Sequence, residues 1–205
     1  MKAVFVFIVV VVYGVVCITP TPFPCQFPQK FTATLIDLNT INSPAITLHY
    51  MTLDLDRKME ALRIASLDRA TGQITITGRT VLDFSQKRQY YIPEGDTSSC
   101  WHFPLHLTLP DTLPPTGELT QLGSGYVGLP GALPYTMISF AWQPDLNVTM
   151  VIDPEGCAPI VQGMGGHNGP APIDSVFLFT KFVPDVIDPS VFDLPPSCNP
   201  AMRGK

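Results

Sequence analysis

The sequence predicts a mainly β protein, an antiparallel meander of about nine strands. Three observations predict it. Apolar and polar residues alternate with period 2 in most of the apolar stretches, as in Gln73-Ile74-Thr75-Ile76-Thr77. No long segment carries the 3.6-residue period of an amphipathic helix. The 22 prolines, roughly twice the usual frequency, break long helices and favour strands with turns.

The first element is not part of that sheet. Residues 1–17 read MKAVFVFIVVVVYGVVC, a single Lys2 followed by an unbroken apolar run from Ala3 to Val16. A membrane span needs about 20 such residues, and Thr19-Pro20-Thr21-Pro22 stops any helix. This is the pattern of a secretory signal peptide, cleaved after Cys17 with Val15 and Cys17 at the two small-residue positions. The competing reading is a signal anchor. Val16 before the cysteine argues against a lipoprotein site. The expected mature chain, 18–205, is the size of one domain. Without Lys2 its 11 basic residues face 17 acids, so it lacks the positive surplus of a nucleic-acid binder. Its apolar content rules out wholesale disorder.

Removing the leader also leaves an even number of cysteines: Cys25, Cys100, Cys157 and Cys198. In a secreted chain that favours two disulfides, each closing a long loop and stabilising by about 3–4 kcal/mol. Spacing leaves all three pairings open. No CxxC occurs, so zinc and redox chemistry are not indicated.

After a proline-rich lead-in, strands are expected at 31–38, 46–55, 60–67, 73–82 and 88–92. Asp68 to Gly72 forms the loop of one hairpin. Residues 103–134 hold six prolines and five glycines and read as irregular cover over one mouth of a barrel, with a short helix at 118–122. Further strands are expected at 135–142, 146–152, 158–162 and 175–183. A flexible glycine-rich loop is expected at 163–172. Asp188-Pro189 looks like an N-cap with proline at the first helical position. On strand 146–152, Leu146, Val148, Met150 and Ile152 oppose Asn147 and Thr149. That places the sequon Asn147-Val148-Thr149 on the outer face, where a glycan fits.

Catalytic motifs are missing: no GxSxG, HExxH, P-loop, GxGxxG or EF-hand pattern occurs. Asp54-Leu55-Asp56 begins like a calcium loop, but Lys58 and Glu60 replace the third ligand and the glycine. His102 and His106 flank Pro104, which blocks a metal-binding helix; on a strand they stand about 13 Å apart. His49 and His167 have no neighbour in sequence to work with. The chain therefore reads as a protein that is not an enzyme. Between Gln89 and Thr180 there are acids but no Lys or Arg. Either this is a solvated acidic face, or the acids attract a hard cation such as Ca²⁺.

Two strands are apolar on both faces. Ile138, Phe140 and Trp142 oppose Tyr135, Met137 and Ala141; Phe177 and Phe179 oppose Val176, Leu178 and Phe182. An antiparallel strand usually wets one face, so these require a second layer, a partner chain or a ligand cavity. Met137, Phe140, Trp142, Phe177 and Phe179 are the expected cavity residues.

Several landmarks together carry a family resemblance. Pro24-Cys25-Gln26-Phe27-Pro28 is similar to an opening Pro-Cys-x-x-Pro. Ser175 to Phe182, Asp188-Pro189-Ser190-Val191-Phe192 and Pro195-Pro196-Ser197-Cys198 are similar to a terminal signature, with Ile138 to Trp142 ahead of the sequon. In these features the chain resembles the ependymin-related family of secreted glycoproteins. The resemblance implies a strongly curved antiparallel sheet forming a half-open barrel around an apolar pocket, with one or two short helices. It implies pairing of Cys25 with Cys157 and of Cys100 with Cys198. It further implies an extracellular, glycosylated homodimer associated with calcium and cell–matrix adhesion. The pocket is expected to hold a hydrophobic ligand such as a fatty acyl chain, with a calcium-dependent matrix or adhesion component as the alternative. The extra cysteine pair of vertebrate relatives is absent, and no acidic motif transfers, so the metal ligands stay unassigned.

Overall fold

The computed structural model describes residues 27–96, 98–113, 119–127, 132–168 and 171–198. The expected signal peptide and Cys25 lie outside them. Eleven strands form one antiparallel sheet. They are β1 (Lys30–Asp37), β2 (Ala45–Asp54), β3 (Met59–Asp68), β4 (Ile74–Asp83), β5 (Arg88–Pro93), β6 (Trp101–Pro104), β7 (Thr120–Val127), β8 (Leu133–Gln143), β9 (Leu146–Ile152), β10 (Pro159–Asn168) and β11 (Ala171–Val183). Their spatial order is β6-β5-β4-β3-β2-β1-β11-β10-β9-β8-β7. Two meanders are thus joined where the first strand pairs with the last, and the sheet does not close, with β6 and β7 at its ends.

Most expected strands appear within a few residues of their expected bounds. Three expectations are corrected. The described part of 118–122 is strand, not helix: β7 pairs with β8, and Thr120 and Gln121 enter that ladder because a neighbouring edge was available. Trp101–Pro104 is also a strand, against β5. The glycine-rich stretch from 163 is not a loop but the end of β10, paired to Ala171–Val183 as far as Asn168. Glycine serves there for close approach. A Cβ on Gly166 (φ 134°) would collide with the Asp145 carbonyl oxygen, which accepts the next residue's N–H at 2.7 Å.

The β1–β11 ladder contains a bulge. Thr34 pairs with Lys181 but Leu35 pairs with Phe179, leaving Thr180 as the extra residue. Strict alternation places Phe182 opposite Phe177 and Phe179; the bulge resets the parity, so Phe182 shares their face. There it meets Phe31, ring centres 5.1 Å apart, and joins Phe177 and Phe179 against Leu35 and Leu53.

Side chains from β4 and from β8, far apart in the sheet order, line one common cavity. The sheet therefore bends, with that face concave. The chain after β11 crosses to the opposite face of β3–β5. Asp188 caps a 3-10 turn, Pro189–Phe192, by accepting the Ser190 N–H, as the sequence predicts. Arg79 clamps the segment by donating to the carbonyls of Val191 (2.9 Å) and Asp193 (2.7 Å). Phe192 packs with Ala61, Val81, Tyr90 and Ile92, under the Arg57 guanidinium at 5.0 Å. A disulfide joins Cys100 to Cys198 within the same cluster. Here the chain's own tail forms a second layer over the outer face of β3–β5.

The Cys100–Cys198 bridge spans 98 residues, for which chain-entropy arguments give about 5 kcal/mol. The double variant Cys100→Ser/Cys198→Ser is expected to lose that much in guanidinium denaturation. A loss below about 1 kcal/mol contradicts this role for the bridge.

Candidate functional site: an apolar cavity with one carboxylate

The concave face encloses a cavity of about 330 Å³, within the range of small-molecule sites. Alternation puts Phe31 and Leu35 of β1, Met51 and Leu53 of β2, and Leu62 of β3 on this face. The other meander contributes Phe140, Val148, Met150, Met164, Phe177 and Phe179. The irregular segment 105–113 runs across as a strap. Leu105 donates its N–H to the Lys87 carbonyl on one side (2.9 Å). Trp142 donates its indole N–H to the Thr108 carbonyl on the other (2.9 Å). Leu113 packs against the core clusters of both meanders.

Four of the five expected cavity residues are there: Phe140, Trp142, Phe177 and Phe179 line the space. Met137 does not. It pairs with Val151 and Gly123 at odd parity from Phe140, so it points to the outer face. Asn147 is exposed on the outer face of β9, as the alternation predicts.

Two ionisable groups line the cavity that sequence reasoning did not place there. His49 lies edge-on to Phe177, ring centres 5.4 Å apart. Burial lowers its pKa below 6.5, against a weaker opposing pull from Asp37. Glu60 stands between Leu53 and Leu82 in register. It keeps some accessible surface, but that surface is onto the cavity. Burial alone pushes its pKa up to about 7. Among the described residues its carboxyl has no hydrogen-bond or ion-pair partner. The sequence signal was period 2: His49-x-Met51-x-Leu53 and Glu60-x-Leu62 each share one face.

The residues weighed as metal ligands scatter. His102 and His106 are both exposed, on β6 and the strap. His167 is exposed near the end of β10. Asp54 caps its hairpin, accepting the Arg57 N–H at 3.0 Å. Among the described residues no three His, Cys, Asp or Glu side chains gather as a metal site.

A family model, "Ependymin domain, amoebozoa", matches residues 43–205. The chain belongs to the ependymin family. That is a family of secreted proteins. The match contains the terminal landmarks from Ser175 to Cys198, while Pro24 to Pro28 precedes it. No curated protein matches the chain. Among solved structures, an uncharacterized conserved protein from Thermus thermophilus is 12% identical with a TM-score of 0.43, covering 78% of this chain and 80% of that one. A likeness that low carries no argument. In this ependymin-family chain Cys100–Cys198 is the pairing the resemblance implied. Cys157 is also disulfide-bonded, and Cys25, its implied partner, lies outside the described residues. Among the described residues no helix is long and apolar enough to cross a membrane.

Glu60 holds its proton more tightly folded than unfolded, so stability falls as pH rises from about 4.5 toward 7. The full penalty is on the order of 3 kcal/mol. His49, with its lowered pKa, costs stability as pH falls below 6.5. Glu60→Gln is expected to be more stable than the parent at pH 8 by about 1–3 kcal/mol and equal to it near pH 4.5. Denaturation midpoints across that range check it, and parallel pH profiles for the two proteins contradict it.

Proposed function

We propose that this chain is a secreted, non-enzymatic glycoprotein that carries a hydrophobic ligand, an acyl or alkyl chain, in the hollow of a half-open β barrel. The observation that carries the reading is the cavity itself: strands from both meanders aim large apolar side chains at an unfilled space. Each methylene that a ligand moves from water into it contributes about 0.8 kcal/mol. The preformed aromatic walls limit the ordering cost of binding. Family membership supports export, and the exposed Asn147 supports glycosylation. Calcium enters this reading only as a structural ion with unassigned ligands.

A second reading, an adhesive matrix component working as a homodimer with calcium bridging its acids, is favoured by the outer face. Met137, Val151, Val161, Leu178 and Ile36 stand opposite one another across successive strands. They form an apolar row facing away from the cavity. Two copies packed through this row would cover it and leave both hollows accessible.

Organic extraction of the purified protein followed by lipid mass spectrometry is expected to release a bound lipid. A fluorescent fatty acid is expected to bind saturably, and Phe177→Arg to abolish that binding. No co-purifying lipid and no saturable binding would overturn the carrier reading. In sedimentation, Leu178→Arg is expected to shift a dimer to monomer. A parent protein that is monomeric with and without chelator rejects the dimer.

A further inference from the structure

We propose that the cavity selects a single-chain amphiphile with an amine head group, whose ammonium pairs with the Glu60 carboxylate. This rests on the carrier reading and adds the chemistry of the head. Among the described residues Glu60 is the one acid in the lining, and no lysine or arginine joins it there. Its neighbours across the sheet, Leu53 and Leu82, offer no hydrogen bond. An unpartnered carboxylate in an apolar wall costs folding energy. A cationic donor on the ligand supplies what the chain does not.

The surrounding charges leave that role open. Asp54 and Asp83 sit next to Leu53 and Leu82 in sequence, so they face the other side of the sheet. There they accept hairpin N–H groups of Arg57 and Gln86. Lys58 and Lys87 occupy hairpin tips and line a neighbouring cavity, not this one; the two cavities share Phe84 and Leu107 in their linings. Lys58 lies 4.0 Å from Asp111, both exposed, where an ion pair contributes little. Asp37 lies near His49, on whose protonation it acts. His49 lines the cavity four residues along β2 from the position facing Glu60, about 13 Å by strand rise. Burial keeps it neutral at neutral pH. A carboxylate head would therefore find no cation among the described lining residues and would face Glu60 as a like charge. Because burying an ion pair nearly breaks even against solvation, Glu60 contributes head-group selectivity more than tightness.

The test is competition against the neutral probe N-phenyl-1-naphthylamine with dodecylamine, dodecanoate and dodecanol below their micelle concentrations. At pH 8 dodecylamine is expected to compete better than dodecanoate by on the order of a hundredfold. Its affinity is expected to rise about tenfold between pH 6 and 8, as Glu60, with its pKa near 7, ionises. Glu60→Gln removes a buried charge and so folds. It should keep dodecanol binding, lose most of the amine preference and lose the pH dependence. If probe and dodecanol do not bind, the carrier reading falls and this assignment with it. If they bind, but dodecanoate competes as well as dodecylamine, or the ratio survives in Glu60→Gln, the Glu60 assignment alone falls.

Discussion

The ladder between β1 and β11 is the constraint on which the structure depends. It pairs the first and last strands of the sequence order, Thr32 with Val183 through Asp37 with Phe177, and so fuses two meanders into one sheet. Without it, each meander would have one apolar face with nothing opposite. With it, the concave face runs from β4 to β8 unbroken, and its walls meet around a common space. The bulge at Thr180 belongs to the same constraint. By resetting the alternation it turns Phe182 inward beside Phe31, adding a third aromatic of β11 to the core cluster next to the cavity.

The tail after β11 makes the outer side compatible with that arrangement. Strands β3 and β4 carry apolar residues on both faces. Inside, Leu62 and Leu82 meet the cavity; outside, Ala61 and Val81, with Tyr90 and Ile92 of β5, meet Phe192, Val191 and Leu194. Arg79 and the Cys100–Cys198 bridge hold that cover down. Over β8–β11 the outer face has no such layer among the described residues, and its apolar row stays half-buried. The molecule is thus asymmetric in what covers its back while symmetric in what lines its hollow. Such a division suits a protein whose interior binds and whose exterior associates.

Much of this was legible in the sequence because period 2 is a local property. The strands from Phe31 to Ile92, the outward Asn147 and the capped turn at Asp188 all follow from neighbours within a few residues. Phe140, Trp142, Phe177 and Phe179 were readable as cavity residues because both faces of their strands are apolar. What failed was non-local. Thr120–Val127 carries glycines and polar residues that suit a turn, and becomes a strand only because the edge of β8 needs a partner. Gly163 to Gly166 reads as a loop until Asp145 is seen to press against it. Met137 was assigned to the cavity by its aromatic neighbours although its parity places it outside. Glu60 was weighed only as a departure from a calcium loop, because its role depends on Leu53 and Leu82, which reach it across other strands.

The two tryptophans separate the inside of the cavity from the outside. Trp142 lines the hollow, and Trp101 stacks on Tyr91 on the end strand β6. Quenching by a bromine-labelled alkyl chain, read in Trp101→Phe and in Trp142→Phe, reports which indole the chain touches. The hollow-sheet account predicts saturable quenching of Trp142 and no saturable quenching of Trp101. Equal quenching of both, or none of Trp142, would contradict an open interior that receives an alkyl chain.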